Sequence, residues 1–145
     1  MLRSAVKIST RFASENAMKF SFASASKEFY SNSTSVTQVD LPTGTGMMGI
    51  LPNHVPTLGV LAAGWATVYD AGQANRIFVS SGSYTIKDDG SVSIAAEEAV
   101  AEADIDLDAA RKALDEIKAE GNNAKSEAEK VDAQIAAETM EALLK

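Results

Sequence analysis

The 145-residue sequence predicts an α+β fold, in which an N-terminal antiparallel β-sandwich is followed by a C-terminal antiparallel helical hairpin. Two observations support this fold class. In several short runs between residues 18 and 96 apolar and polar residues alternate, as in half-buried strands, whereas beyond residue 104 apolar residues recur at spacings of three and four, as on one side of a helix. The predicted organisation is a leader at 1–17, a sandwich domain at 18–103 and a helical hairpin at 104–145.

The leader, MLRSAVKISTRFASENA, contains three basic residues, four hydroxyl residues and a single acidic residue near its end. Wound as a helix, it places Leu2 and Val6 on one side and its basic residues off that side. An amphipathic, Arg- and Ser-containing, acid-poor start is typical of a mitochondrial transit peptide. The alternative is a basic tail without a targeting role.

The predicted strands are short and are separated by turn-rich segments. Trp65, Thr67 and Tyr69 alternate with Ala66 and Val68, so the two sets point to opposite faces of a sheet. Turn-type residues follow at 71–75, 81–83 and 88–90, which are the lengths that hairpin connections need. Many short strands at regular spacing indicate a sandwich or a small barrel.

Two helices are predicted after residue 104. The first has Asp106 as its N-cap and presents Leu107, Ala110, Leu114 and Ile117 on one side. We expect it to end at Gly121-Asn122-Asn123, whose residues tolerate a positive φ. The second helix, over about 124–144, has a capping-box sequence at Ser126 and Glu129. Its predicted apolar side consists of Ala128, Val131, Ile135, Ala142 and Leu143.

Composition and charge exclude several classes of function. The net charge is −7, and residues 97–145 hold fourteen acidic residues against six basic ones, so binding to a phosphate backbone is not expected. Without cysteine the chain has no disulfide, zinc finger or thiol nucleophile. The single histidine, His54, cannot form a multi-histidine metal site, and we expect it to fix a loop by hydrogen bonding. No catalytic residue, metal or cofactor is predicted.

The segment 41–69 contains no Lys, Arg, Asp or Glu. Its three prolines and five glycines interrupt it too often for a membrane-spanning helix, which needs about 20 continuous apolar residues. Charged residues are depleted in cores and at the centres of interfaces. The segment is therefore predicted to be core, partner interface or both.

The same segment holds a Gly-x-Gly-x-x-Gly pattern at 44–49, with Asp70 at a distance that would suit a ribose. A dinucleotide site needs a helix that begins at the third glycine. The sequence that follows, Ile50-Leu51-Pro52-Asn53-His54-Val55-Pro56, contains two prolines and cannot form that helix. We interpret the glycines as turn residues.

The segment Gly49-Ile50-Leu51-Pro52-Asn53-His54-Val55-Pro56-Thr57-Leu58 resembles the G-I-x-P-x-H-x-P-L-L signature of one subunit family of F-type ATP synthases. Members of that family are the epsilon subunits of bacteria and plastids and the delta subunits of mitochondria. The resemblance extends in order over about residues 19–120, through 79–82, 92–99 and 105–111. The family architecture is also a β-sandwich followed by a helical hairpin, and the leader favours the mitochondrial branch.

The resemblance implies a non-catalytic rotor subunit in the central stalk of the proton-translocating ATP synthase, which couples rotation of the membrane ring to the gamma shaft. The implied partners are the gamma subunit, the small epsilon subunit of mitochondria and the ring of rotor subunits, at the matrix side of the inner membrane. Many bacterial members have an acidic residue where this chain has Met47, so an apolar contact is expected there. The interface residues it implies, facing either the ring or gamma, are Met47, Met48, Pro52, His54, Pro56 and Leu58.

Two alternatives remain at this stage. Some bacterial members bind ATP through an I/L-D-x-x-R-A motif, and Leu107-Asp108-Ala109-Ala110-Arg111 matches it except that Lys112 replaces the alanine. A nucleotide-sensing regulatory subunit would use this motif, although Asp108 and Arg111 also suit an ordinary surface ion pair. The other alternative is a free-standing β-sandwich that binds a ligand in the matrix, for which the hairpin and the proline-histidine loop would serve no purpose.

Overall fold

The structure is a computed structural model that describes residues 17–145, so the predicted leader lies almost entirely outside the described residues. Within that range a β-sandwich of nine strands precedes a hairpin of two helices, which confirms the predicted fold class. The strands are β1 (Met18–Ser24), β2 (Glu28–Thr43), β3 (Gly46–Ile50), β4 (Thr57–Leu61), β5 (Gly64–Asp70), β6 (Gln73–Val79), β7 (Gly82–Ile86), β8 (Val92–Ala96) and β9 (Ala99–Ala101). A short 3-10 helix (Glu102–Asp104) leads to helices α1 (Leu107–Asn123) and α2 (Glu127–Leu144).

Strand β2 joins the two layers of the sandwich. One layer runs in the order β1-β8-β7-β4, and the other contains β2, β5, β6 and β9 with β3 on β2. The 16-residue β2 pairs with β1 through its first half and with β3 and β5 through its second half. At the other edge Thr43 of β2 pairs with Leu61 of β4. Hydrogen bonding therefore connects the layers at both edges.

The pairing is antiparallel except between β1 and β8, which are parallel from Phe20 opposite Val92 to Ser24 opposite Ala96. The predicted antiparallel sandwich is thus confirmed for every strand pair of the described residues except this one. Antiparallel neighbours can be recognised from the short turns between them, whereas a parallel pair leaves no local signal in the sequence.

The core lies between the two layers. Phe20 and Phe22 of β1 are fully buried, and their rings meet edge to face at 6.3 Å between centroids. Ala66 and Val68 of β5 face the core from the other layer, while Trp65 on the same strand points outward, as the alternation predicts. Burial of such apolar side chains supplies most of the favourable free energy of folding.

The turn predicted at 71–75 is shorter in the structure. Ala71 and Gly72 alone connect β5 to β6, with φ values of +49° and +81°. Two consecutive residues with positive φ are what a two-residue hairpin of the I′ type requires, because this turn matches the twist of the strands. The predicted turn residues from Gln73 onward belong to β6.

Helix α1 begins at the predicted cap and ends within the predicted segment at Gly121-Asn122-Asn123. The carboxylate of Asp106 accepts hydrogen bonds from the backbone N–H groups of Asp108 and Ala109 at 2.9 and 3.1 Å. At the other end the helix continues through Asn123, and Ala124 is extended with φ −62° and ψ 133°. The tolerance of these residues for a positive φ is not used, because the chain leaves the helix by becoming extended at Ala124.

The apolar side predicted for α2 is wrong in its first three turns. Val131 and Ile135 are 48% and 58% exposed, and the half-buried residues between 131 and 140 are Ala133, Ala136, Ala137, Thr139 and Met140. A Cβ built on Gly121 of α1 would lie 3.1 Å from the Cβ of Ala133, so the two helices approach closely at this point. Small residues fill the seam because larger ones would separate the helices.

The predicted capping box of α2 is confirmed. Ser126 Oγ accepts from the backbone N–H of Glu129 at 3.2 Å, and the Glu129 carboxylate accepts from the N–H groups of Ser126 and Lys125 at 3.3 and 3.0 Å. We expect Ser126→Ala to destabilise the start of α2 by about 1 kcal/mol, since an orphan amide loses its acceptor. Amide exchange over the first turn of α2 measures this. Ser93→Ala, at an exposed strand position, should change the same amides little, and an equal change would contradict the capping role.

Candidate functional site

Five large apolar side chains are exposed within the segment 47–60, which forms β3, β4 and the loop between them. We call this set the β3–β4 surface; its members, with their exposed fractions, are Met47 (64%), Leu51 (57%), Val55 (69%), Leu58 (77%) and Val60 (72%). The segment carries no acidic or basic residue apart from His54. Isolated apolar residues at a surface are ordinary, but a concentration of them marks an interaction surface.

The strand geometry of β4 explains why two of these side chains are exposed. Leu58 and Val60 alternate with Gly59 and Leu61, and Leu61 lies in the core. Successive side chains of a strand point to opposite faces, so Leu58 and Val60 share the outer face. Because β4 pairs with β7 along its whole length, backbone pairing holds this face in place.

The two adjacent methionines have different environments. Met47 is mostly exposed, whereas Met48 packs against the core and its sulfur accepts a hydrogen bond from the Tyr84 hydroxyl at 3.2 Å. Gly59 provides the space for this arrangement, since a Cβ there would collide with the ring and hydroxyl of Tyr84. Of the two methionines predicted as interface residues, Met47 is the one accessible to a partner in the isolated chain.

The loop between β3 and β4 holds the remaining predicted residues. His54 Nδ1–H donates to the carbonyl of Val55 at 2.9 Å, and the Thr57 hydroxyl donates to the same oxygen at 2.8 Å. This geometry fits the loop-fixing role expected for His54. The flanking Pro52 and Pro56 are half-buried and exposed respectively, and both restrict the loop by their fixed φ.

The Gly-x-Gly-x-x-Gly pattern forms a hairpin. Gly44 and Thr45 make the turn between β2 and β3, and Gly46, with φ +119°, begins β3. Gly49 lies within β3, where a Cβ would meet a carboxylate oxygen of Asp40 at 3.3 Å. The interpretation of these glycines as turn residues holds for Gly44, while Gly46 and Gly49 belong to a strand.

The chemistry available at the β3–β4 surface is apolar binding. Burial of exposed apolar area contributes roughly 25 cal/mol per Å², and the absence of charge in this segment avoids a desolvation cost. The sequence prediction did not include Leu51, Val55 and Val60. The sequence contained the information needed to include them, because all three lie in the uncharged segment and Val60, two residues after Leu58, lies on the same face of the strand.

The candidate nucleotide residues lie on α1, at the other end of the chain. Arg111 Nη1 is 3.8 Å from a carboxylate oxygen of Asp108, and both side chains are more than two-thirds exposed. Their spacing of three residues on a helix gives the geometry of an ordinary surface ion pair. Exposed pairs of this kind contribute little to stability.

Comparison of the sequence with protein families and known proteins gives consistent matches. Residues 17–102 match the model of the ATP synthase delta/epsilon chain, beta-sandwich domain. The chain is 44% identical to the mitochondrial ATP synthase subunit delta of Caenorhabditis elegans over 135 residues, covering 92% of this chain and 81% of that protein. It is 36% identical to the Agaricus bisporus protein of the same name, covering 87% and 77% of the two chains.

Two solved structures resemble the fold. One is a chain in the Euglena gracilis mitochondrial ATP synthase, in a structure of OSCP/F1/c-ring in rotational state 1, with a TM-score of 0.79, 29% identity and coverage of 88% of this chain and 79% of that one. The other is a chain in the central stalk/c-ring of the Tetrahymena thermophila mitochondrial ATP synthase, with a TM-score of 0.62 and coverage of 90% and 98%. At 14% identity the second shows likeness of fold alone.

Proposed function

The chain belongs to the ATP synthase delta/epsilon family, and on that premise we propose that it is a rotor subunit of the mitochondrial ATP synthase that couples the membrane ring to the gamma shaft. The observation that carries the proposal is the β3–β4 surface, which presents five exposed apolar side chains at 47–60, in and beside the family's signature segment at 49–58. A subunit that transmits rotation must be bound firmly to its neighbours. Burial of an apolar surface against them provides this binding.

The subunit belongs to an enzyme complex, and we propose that it performs no catalytic step of its own. The side chains gathered at the β3–β4 surface are apolar, and His54 is engaged with a backbone carbonyl. Side chains of this kind bind a partner protein and hold the loop in position. In the complex, the chemistry of ATP synthesis would belong to other subunits.

The location follows from the relatives, which are mitochondrial. Within residues 17–145 no helix is both long enough and apolar enough to cross a membrane. The chain is assigned to the matrix side of the inner membrane, where it is held by protein contacts. The leader at 1–17 would direct it there.

The proposed partners are the gamma subunit, the ring of membrane rotor subunits and the small epsilon subunit. We assign the β3–β4 surface, with Met47, Pro52, Pro56 and Leu58 from the predicted set, to gamma or the ring. Met48 and His54 support this surface from within through their contacts with Tyr84 and Val55. The hairpin offers a second apolar area at Val131 and Ile135, which suits the small epsilon subunit.

We expect no tight ATP binding by this chain. The exposed Asp108–Arg111 pair lacks the enclosure that a nucleotide base and triphosphate would need, and the acidic surroundings of α1 repel phosphate. Isothermal titration calorimetry of the chain with ATP and Mg²⁺ should show no binding at micromolar concentrations. Micromolar binding that is lost in Arg111→Gln and retained in Arg76→Gln would favour a nucleotide-sensing subunit.

Affinity purification from detergent-solubilised mitochondria tests the proposed function. A tagged chain should recover gamma, the small epsilon subunit and the ring proteins together. Recovery of the tagged chain alone, from mitochondria whose ATP synthase is intact, would overturn the proposal. The remaining candidate would then be a free-standing sandwich that binds a ligand.

A further inference from the structure

The hairpin contacts the sandwich through the end of α2, which packs on β5. The indole Nε1–H of Trp65, on the outer face of β5, donates a hydrogen bond to the backbone carbonyl of Leu143 at 3.2 Å. The last four carbonyls of a helix have no partner within the helix. A side chain of the sandwich therefore supplies a hydrogen bond that α2 cannot make for itself.

The indole of Trp65 is held in place from two further directions. Phe78 of β6 meets it edge to face at 5.6 Å between ring centroids. The guanidinium of Arg76 lies 4.4 Å from the centroid of the Trp65 ring, and its Nη1 is 2.7 Å from a carboxylate oxygen of Glu102. Arg76 thus connects β6, the indole and the 3-10 helix that leads into the hairpin.

The segment that links the sandwich to the hairpin has a second contact with the sandwich, an exposed ion pair that contributes little to stability. Lys27 lies 5.1 Å from the centroid of the Phe29 ring and 3.9 Å from a carboxylate oxygen of Asp104. Both basic side chains therefore combine an aromatic contact in the sandwich with an acidic residue of the 3-10 helix. The acidic 3-10 helix between sandwich and hairpin therefore contacts the sandwich at Glu102 and Asp104.

The two helices are held to each other by different contacts. Small residues fill the α1–α2 seam at Gly121 and Ala133, and Lys118 Nζ is 2.8 Å from a carboxylate oxygen of Glu141. The hydrogen bond and charge of Lys118 lower the pKa of the Glu141 carboxyl. Because these contacts lie within the hairpin, they would persist if the hairpin moved away from the sandwich as a unit.

We propose that Trp65, Arg76, Glu102 and the Leu143 carbonyl form a clasp that fixes the orientation of the hairpin on the sandwich. The clasp lies at the end of α2, away from the buried core of the sandwich and from the α1–α2 seam, so its opening is a local transition that leaves both the sandwich and the hairpin folded. The inference rests on the proposed function in one respect: a subunit that transmits rotation gains from having its two parts move as one body. The clasp itself is a property of the isolated chain.

Two variants of the full-length chain test the clasp. Arg76→Gln removes the cation that bridges Trp65 and Glu102, and Arg111→Gln is its matched control, since Arg111 pairs with Asp108 on the exposed face of α1. Trp65→Phe keeps an aromatic ring and removes the N–H group that donates a hydrogen bond to the carbonyl of Leu143. Amide hydrogen exchange is measured over 139–144 of α2 and at the buried strand residues Val39 and Val68.

In Arg76→Gln and Trp65→Phe the amides at 139–144 should exchange about fivefold faster, which is the factor that one net hydrogen bond represents. Exchange at Val39 and Val68 should stay unchanged. Trp65 is the single tryptophan of the sequence, so acrylamide quenching of its fluorescence reports the same opening. Quenching should increase in Arg76→Gln and remain at the wild-type level in Arg111→Gln.

Equal exchange at 139–144 in the two clasp variants and the wild type would overturn the proposal. A uniform acceleration that includes Val39 and Val68 would also overturn it, because the residues would then support global stability rather than the docking of the hairpin. The measurements use the free chain and need no ATP synthase. Failure of the clasp and failure of the rotor assignment are therefore distinguishable.

Discussion

Leu58→Glu is expected to reduce binding of the chain to its rotor partners by more than about tenfold, while its own stability changes by less than about 0.5 kcal/mol. The side chain is 77% exposed on the outer face of β4, so a charge there is solvated in the free chain. In an apolar interface the same carboxylate would be buried without a partner. The measurement is the amount of gamma and ring protein recovered with the tagged variant, together with its melting temperature.

Val100→Glu is the matched control for this prediction. Val100 is an exposed apolar residue of β9, outside the β3–β4 surface, and the substitution introduces the same charge on a strand. It should leave recovery of the partners near the wild-type level. Equal losses for the two variants, or no loss for either, would contradict the assignment of the β3–β4 surface. Met48 is unsuitable for this test because its contact with Tyr84 ties it to the fold.

Gly82→Ala is expected to destabilise the chain by about 3 kcal/mol, which lowers the melting temperature by about 10 °C for a domain of this size. Gly82 begins β7, between Leu61 of β4 and Ala96 of β8. A Cβ at this position would meet the carbonyl oxygen of Ala95 and lie 2.7 Å from the Cα of Ala96. Both are backbone atoms, so strand β8 itself would have to move. Thermal unfolding followed by circular dichroism measures the effect.

Gly72→Ala separates the steric effect from the conformational one. Gly72 also has a positive φ, +81°, but a Cβ there would have no heavy atom within 4 Å. Its substitution should cost about 1–2 kcal/mol, the usual penalty for a left-handed residue with a side chain. Similar losses at the two positions would show that backbone conformation, and not the approach of β8, decides the effect at Gly82.

Local patterns in the sequence predict much of this fold. The alternation at Trp65–Tyr69, the cap at Asp106 and the capping box at Ser126 each depend on residues close together in the chain, and each is present in the structure. Propensity and turn chemistry act over the same short range. The order of sandwich and hairpin along the chain is predicted because the spacing of apolar residues changes from alternation, typical of strands, to three and four, typical of helices.

Features that depend on distant residues could not be predicted in the same way. The first half of β2 is rich in serine and threonine and lacks a clear alternation, and it becomes a strand because it pairs with β1. Val131 and Ile135 are the most apolar residues in the first three turns of α2, but close approach of the helices at Gly121 places alanines in the seam. In both cases a tertiary contact overrides the local preference.

The candidate site also has some features that local sequence predicts and others that depend on distant residues. The signature at 49–58 and the absence of charge identified the segment, and strand parity could have added Val60. The separation of Met47 from Met48 required knowledge that Tyr84 lies opposite Gly59 across β4 and β7. Similarly, the attachment of the acidic linker depends on Lys27 and Arg76, which are far from it in sequence.

Site-specific crosslinking in the assembled enzyme tests the central claim most directly. The sequence contains no cysteine, so Leu58→Cys provides a single thiol for a photoreactive label, and Val100→Cys provides the control. A rotor subunit should crosslink from position 58 to gamma or to a ring protein, and the crosslinked enzyme should continue to hydrolyse ATP, because the joined parts rotate together. A crosslink from position 58 to a stator subunit that stops hydrolysis would contradict the account.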